Sequence, residues 1–167
     1  MKQKMFYLIS ILLLGMSCIT SCSGDDDEKE NLENNFIEIN NVKYSLGYTT
    51  LMGGWYEDWQ GGDFTVSVNV EEAGVTFVYY YKFDFDSSTY PQKGDEFSTM
   101  NLTLKAGDNA SSFYGKELTY ESGSATVINT NKSESEITIQ FKQLKMANES
   151  KSYTFNGIAT LMFSYEN

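Results

Sequence analysis

Apolar and polar residues alternate along most of the chain after residue 35, and this pattern limits the fold more than any other feature. The two-residue period runs through five segments, at 64–70, 75–85, 100–104, 137–141 and 153–165. In an extended strand, successive side chains point to opposite faces, so each of these segments can place one apolar face inward. No segment after residue 22 has the spacing of an amphipathic helix. The sequence therefore predicts an all-β domain.

Turn residues divide the alternating segments into about eight or nine short strands. Asn40 and Asn41 tolerate positive φ and predict a tight hairpin, and Glu71-Glu72-Ala73-Gly74 links the two clearest strands. This spacing predicts an antiparallel two-sheet β-sandwich, with a lipocalin-like up-and-down β-barrel as the alternative. The alternation breaks at Gln143 and Gly157. We expect bulges there, where strands bend or change sheet, and this favours the sandwich.

The first 21 residues have the features of an export signal. Lys2 and Lys4 precede an apolar run at 5–16, which is shorter than the ~20 residues that a membrane-spanning helix needs. The segment Ile19-Thr20-Ser21-Cys22 then has the pattern of a lipobox, in which an apolar residue and small residues precede the acylated cysteine. Cys18 lacks this context. We therefore expect residues 1–21 to be removed and Cys22 to carry the lipid.

The segment that follows Cys22, Ser-Gly-Asp-Asp-Asp-Glu at 23–28, resembles the acidic export tract of surface lipoproteins of the Bacteroidetes. The resemblance implies a protein held in the outer membrane by its acyl chains, palmitate among them, and facing the cell exterior. One acyl chain binds a membrane only weakly, so stable anchoring requires more than one chain on Cys22. The polar composition of residues 22–34 predicts a flexible tether, and residues 35–167 form the single all-β domain.

A second resemblance concerns the domain itself. The Asn-Asn hairpin, the segment Ile-Thr-Ile-Gln-Phe at 137–141 and the segment Tyr-Thr-Phe-Asn-Gly at 153–157 are together similar to small all-β lipoproteins of unknown function in the same phylum. This likeness supplies no functional residues.

Composition excludes several kinds of function. The chain has no histidine, all 12 basic residues are lysines, and both cysteines lie at or before Cys22. Hydrolases that depend on histidine or cysteine are therefore excluded, whereas catalysis by carboxylates alone stays open. No residue pattern indicates such catalysis, so we expect neither an enzyme nor a cofactor. Loss of Lys2 and Lys4 takes the net charge from −11 to −13, which makes nucleic acid an unfavourable partner. Asp84 and Asp86 offer oxygens without the spacing of a calcium loop, so no metal site is expected.

The segment Gly53 to Gly62 is the candidate binding site. It contains both tryptophans of the chain, and diglycines bound it on each side. Trp55, Tyr56 and Trp59 are flat amphipathic side chains of the kind that stack on sugar faces, which suggests a non-catalytic, glycan-binding module. A tryptophan here could instead plug one end of the fold. Two other functions stay open: an accessory subunit that binds a surface protein partner, and a barrel that holds a small hydrophobic ligand.

Overall fold

The computed structural model describes residues 35–46, 52–108 and 116–166. The predicted leader, the lipid attachment site Cys22 and the tether at 22–34 lie outside these residues. None of the helices in the described part of the chain has the length and hydrophobicity of a membrane-spanning segment.

Nine β-strands and two short 3₁₀ turns make up the described structure, which confirms the all-β prediction. The 3₁₀ turns are Glu57–Trp59 and Phe97–Thr99. In chain order the strands are β1 (Phe36–Ile39), β2 (Val42–Ser45), β3 (Met52–Tyr56), β4 (Gly61–Glu72), β5 (Val75–Asp86), β6 (Thr103–Gly107), β7 (Leu118–Asn131), β8 (Glu136–Ala147) and β9 (Ser152–Glu166).

The long strand β9 closes the sheet on itself. One edge of β9 pairs with β8 in antiparallel register along 152–162. Its other edge pairs with β1 in antiparallel register at 155–158 and then with β3 in parallel register at 162–166. Because β3 continues through β4, β5, β6, β7 and β8 back to β9, these seven strands form a closed barrel. The β1–β2 hairpin extends the wall beside β3.

The predicted two-sheet sandwich is therefore wrong, and the barrel alternative is the architecture found. The physical reason is the length of β9, which has 15 residues and pairs with three neighbouring strands. The breaks in alternation bend strands within one continuous wall and do not transfer them to a second sheet. The barrel is not purely up-and-down, since β3 and β9 run parallel.

The turn at Asn40-Asn41 and the bulge at Gln143 lie where the sequence predicts them, whereas Gly157 stays in register with both Phe141 and Ile37. Asn40 and Asn41 both have positive φ, at 50° and 67°, and join β1 to β2. The register between β8 and β9 shifts between Phe141 and Leu144, and Gln143 takes a φ of 49° within this bulge. Gly157 has a φ of 116° opposite Ile37 of β1. A side chain there would collide with the backbone of β1, so glycine is required.

Aromatic rings fill the interior of the barrel. Phe64 of β4 stacks on Phe83 of β5 with ring centroids 4.7 Å apart, and Phe83 meets Phe155 of β9 edge-on at 5.3 Å. Phe97, from the second 3₁₀ turn, lies 5.2 Å from Phe64 and is fully buried. Phe141 of β8 contacts the same group. Edge-to-face and offset contacts of this kind add to the gain from burial, so the aromatic core stabilises the closed wall.

Candidate functional site

Trp59 stands on the outside of the barrel, at the connection between β3 and β4. It ends the 3₁₀ turn Glu57–Trp59, and Gln60 then takes a left-handed φ of 50° that turns the chain into β4. Its indole is 73% exposed, and the ring of Tyr56 lies against it at 4.7 Å between centroids. An indole that is held on one side by a second ring and open to solvent on the other can serve as a stacking platform.

Trp55 has the opposite environment. It is only 4% exposed, and its indole N–H donates a hydrogen bond of 3.0 Å to the carbonyl oxygen of Ser87. Its ring stacks on Tyr165 of β9, with centroids 5.4 Å apart. A buried and hydrogen-bonded indole has no free face for a ligand. Trp55 thus packs the end of the barrel, whereas Trp59 and Tyr56 remain on its surface.

The diglycines do not border a long mobile loop. Gly53 and Gly54 lie in β3, and Gly61 and Gly62 lie in β4, so the connection consists only of the 3₁₀ turn and Gln60. A Cβ atom on Gly62 would lie 2.7 Å from the ring of Phe85, and one on Gly61 would lie 2.6 Å from the Phe85 carbonyl oxygen. These glycines allow β4 to approach β5 closely, which is a requirement of packing.

A pocket of about 340 Å³ opens beside the Trp59 indole. It crosses the outer ends of β4, β5 and β6. The residues that line it are Trp59, Gly61, Gly62, Asp84, Phe85, Asp86, Asn101, Thr103 and Glu117. Two aromatic residues, three carboxylates, an amide and a hydroxyl therefore converge on one concave surface. Of the residues predicted as binding, only Trp59 lines it, and Tyr56 supports Trp59 from behind.

A chain of ion pairs runs across the strands next to this pocket. Lys82 lies 3.3 Å from Asp63 and 3.1 Å from Asp84, between N–O atoms. Lys105 lies 3.5 Å from Asp84 and 3.0 Å from Glu117. We refer to these five residues as the ion-pair chain. Each lysine thus contacts two carboxylates, and neither lysine is among the residues that line the pocket.

Burial and the neighbouring charges shift the pKa values of residues in the ion-pair chain. Burial raises the pKa of Asp63, and the neighbouring Lys82 only partly offsets this effect. Burial opposes a charge on Lys82, but Asp63 and Asp84 outweigh it, so the pKa of Lys82 is raised. The hydrogen bond to Glu117 raises the pKa of Lys105. The two lysines therefore stay charged at neutral pH.

Asn101 fixes the far rim of the pocket. It adopts a φ of 50°, and its side-chain amide donates a hydrogen bond of 2.9 Å to Asp86. The sequence offered only a partial signal for this rim, because Asp84 and Asp86 are separated from Asn101 and Glu117 along the chain. Their meeting depends on the β5–β6 register, which alternation alone does not specify. Among the described residues, no group of three or more acids is arranged to hold a metal ion.

The chain matches no protein-family model, no curated protein and no solved structure at a significant level. The geometry of the pocket therefore carries the functional interpretation.

Proposed function

We propose that this protein is a surface-anchored, non-catalytic lipoprotein that binds a glycan in the pocket beside Trp59. The observation that carries the proposal is the exposure of the Trp59 indole at the rim of a pocket lined by carboxylates, an amide and a hydroxyl. Sugar rings present an apolar face that stacks on an indole and hydroxyl groups that bond to polar side chains. Both kinds of partner are present on one wall.

A glycan array and isothermal titration test this function, with Trp59→Ala as the decisive variant. We expect wild-type protein to bind at least one glycan and Trp59→Ala to lose at least about fivefold in affinity, since stacking contacts to aromatic anchors are often worth more than about 1 kcal/mol. Phe77→Ala is the matched control. Phe77 is also an exposed aromatic residue, but it lies seven or more residues along β5 from the pocket. Absence of binding to any glycan, or equal loss in both variants, would contradict the proposal.

We propose further that Cys22 carries the acyl chains and that the acidic tether at 22–34 directs the domain to the cell exterior. Cys22→Ser should abolish lipid labelling, whereas Cys18→Ser should leave it intact. Alanine at positions 25–27 should keep the lipid but leave the protein facing the periplasm. Protease treatment of intact cells measures this difference. If the alanine variant is cleaved from whole cells as readily as wild type, the acidic tract is only a spacer.

A protein-interaction role is the second candidate, and the far end of the β4–β5 hairpin favours it. Val75, Phe77 and Val78 are all exposed there. A pull-down from solubilised membranes that recovers a stoichiometric partner, lost with Phe77→Ser, would support an accessory subunit. The third function, a hydrophobic ligand held inside the barrel, is not favoured, because the fully buried rings of Phe64, Phe83 and their neighbours occupy the interior.

A further inference from the structure

The charges around the pocket are unbalanced in favour of carboxylates. The ion-pair chain together with Asp86 contains four carboxylates and two ammonium groups. Both lysines are already shared between two acids each. The pocket therefore carries a net negative charge, and it lies on a strongly acidic protein whose formal net charge is −11.

The side chains that line the pocket also offer more hydrogen-bond acceptors than donors. Among the side chains that line it, only the Asn101 amide, the Trp59 indole and the Thr103 hydroxyl can donate a hydrogen bond, and the amide already donates to Asp86 at 2.9 Å. The oxygens of Asp86, Glu117 and Asn101 are acceptors on exposed residues. The buried Oδ2 of Asp84 is already paired with Lys105, whose ammonium nitrogen lies 3.5 Å away. A ligand must therefore supply most of the donors. Hydroxyl and ammonium groups can do so, whereas carboxylate and sulfate groups cannot.

The exposed indole adds a second preference in this direction. The face of an indole attracts a cation placed over it and repels an anion, because of its quadrupole. Trp59 lines the same pocket as the three carboxylates. An amine on a bound sugar would thus meet a negative ring face and negative oxygens at once. The absence of arginine from the chain removes the residue that usually binds acidic sugars through two parallel hydrogen bonds.

We infer that the pocket beside Trp59 accepts neutral and amine-bearing sugars and rejects sugars that carry carboxylate or sulfate groups. This inference rests on the proposed glycan-binding function and defines the class of glycan. It depends on the presence of Asp86, Glu117 and Asn101 in the same pocket as the indole, and on the ion pairs that offset the charges of Lys82 and Lys105.

A glycan array that presents each backbone in three forms tests the inference. The forms are neutral, with free amino groups, and with uronate or sulfate groups, all probed with the intact purified protein at pH 6. We expect signals only from the neutral and amino forms, with the amino form stronger at low salt and the difference reduced at 1 M salt. An acidic form that binds as well as its neutral counterpart overturns the inference alone. No binding to any form overturns both the inference and the proposed function.

Charge-neutralising variants separate this charge effect from a loss of fold. Asp86→Asn and Glu117→Gln should each weaken binding of an amino glycan by about two- to fivefold, the usual range for an exposed charge pair. Binding of the neutral counterpart should change little. Glu71→Gln, which removes an exposed acid far along β4, is the matched control and should leave both affinities unchanged. An unchanged ratio of amino to neutral affinity in both pocket variants would overturn the inference.

Discussion

Replacement of Trp55 should mainly reduce stability, whereas replacement of Trp59 should mainly reduce binding. Trp55 is buried, hydrogen-bonded to Ser87 and stacked on Tyr165, whereas Trp59 is mostly exposed. We expect Trp55→Ala to lower the free energy of unfolding by about 3–5 kcal/mol, the usual cost of removing a buried large aromatic side chain. Trp59→Ala should change it by about 0.5 kcal/mol or less.

The parts of this cost can be separated with a second substitution. Trp55→Phe keeps an aromatic ring against Tyr165 but loses the N–H that donates to the Ser87 carbonyl. A hydrogen bond of this kind contributes about 1 kcal/mol, and the smaller ring adds a small cavity. We therefore expect a loss of about 1–2 kcal/mol for Trp55→Phe. The remainder of the Trp55→Ala loss then belongs to packing.

Urea unfolding measures these differences directly. With a denaturant slope of about 1.5 kcal/mol/M, a loss of 3–5 kcal/mol lowers the midpoint by roughly 2–3 M. Such a loss is a large share of the ~5–15 kcal/mol that stabilises a typical domain. Equal midpoints for Trp55→Ala and Trp59→Ala would refute the assignment of Trp55 to packing and of Trp59 to the surface.

Fluorescence gives an independent measurement, since the chain has only two tryptophans. Trp59→Phe leaves Trp55 as the sole indole, and its emission should be blue-shifted and poorly quenched by acrylamide. Trp55→Phe leaves Trp59, whose emission should resemble that of tryptophan in water and be readily quenched. A bound glycan should alter the emission of Trp59 alone. The reverse pattern would mean that the two side chains have exchanged environments.

Three further predictions concern stability. Gly62→Ala should lower the free energy of unfolding in urea by at least about 2 kcal/mol, because its Cβ would lie 2.7 Å from the ring of Phe85. Gly74→Ala should lower it by only about 1 kcal/mol, because a Cβ there lies in open space and only the φ of 77° is unfavourable. Lys82→Met leaves Asp63 unpaired and Asp84 with Lys105 alone, and it should cost about 1–2 kcal/mol. Lys145→Met, which removes a half-exposed lysine with one acidic partner, should cost about 0.5 kcal/mol or less; equal costs would contradict the role of the ion-pair chain. Burial raises the pKa of Tyr81, so the folded state keeps a proton that the unfolded state loses above about pH 10. The free energy of unfolding should therefore fall as the pH rises above this value, and it should fall less steeply in Tyr81→Phe than in wild type.

The sequence predicts most of the strands because their alternation is local. The segments at 64–70 and 75–85 lie in β4 and β5, and the Asn-Asn hairpin has the positive φ values that its residues favour. The segment at 100–104 is a partial failure. Strand β6 begins only at Thr103, since Met100 follows a 3₁₀ turn and Asn101 takes a φ of 50°. Local alternation cannot reveal this interruption, because Met100, Leu102 and Leu104 would show the same period in either case.

Closure of the barrel could not be predicted, because it depends on which edges meet. A sandwich and a barrel require the same alternating strands, and only the pairing of β9 with β8, β1 and β3 distinguishes them. The same limit applies to the site. The aromatic residues of the β3–β4 connection stand out in the sequence, but their separation into a buried Trp55 and an exposed Trp59 depends on tertiary packing. Strands, turns and bulges are local properties, whereas closure and burial are not.

The glycines of β4 connect the fold to the site. Gly61 and Gly62 lack side chains where β4 runs closest to β5, and both line the pocket beside Trp59. A larger residue at either position would collide with Phe85 and would also fill the floor of the pocket. Because the aromatic core already occupies the interior of this seven-stranded barrel, a ligand can be accommodated more easily on the outer wall than within it. Glycine at these two positions therefore permits both the pairing of β4 with β5 and the space of the pocket.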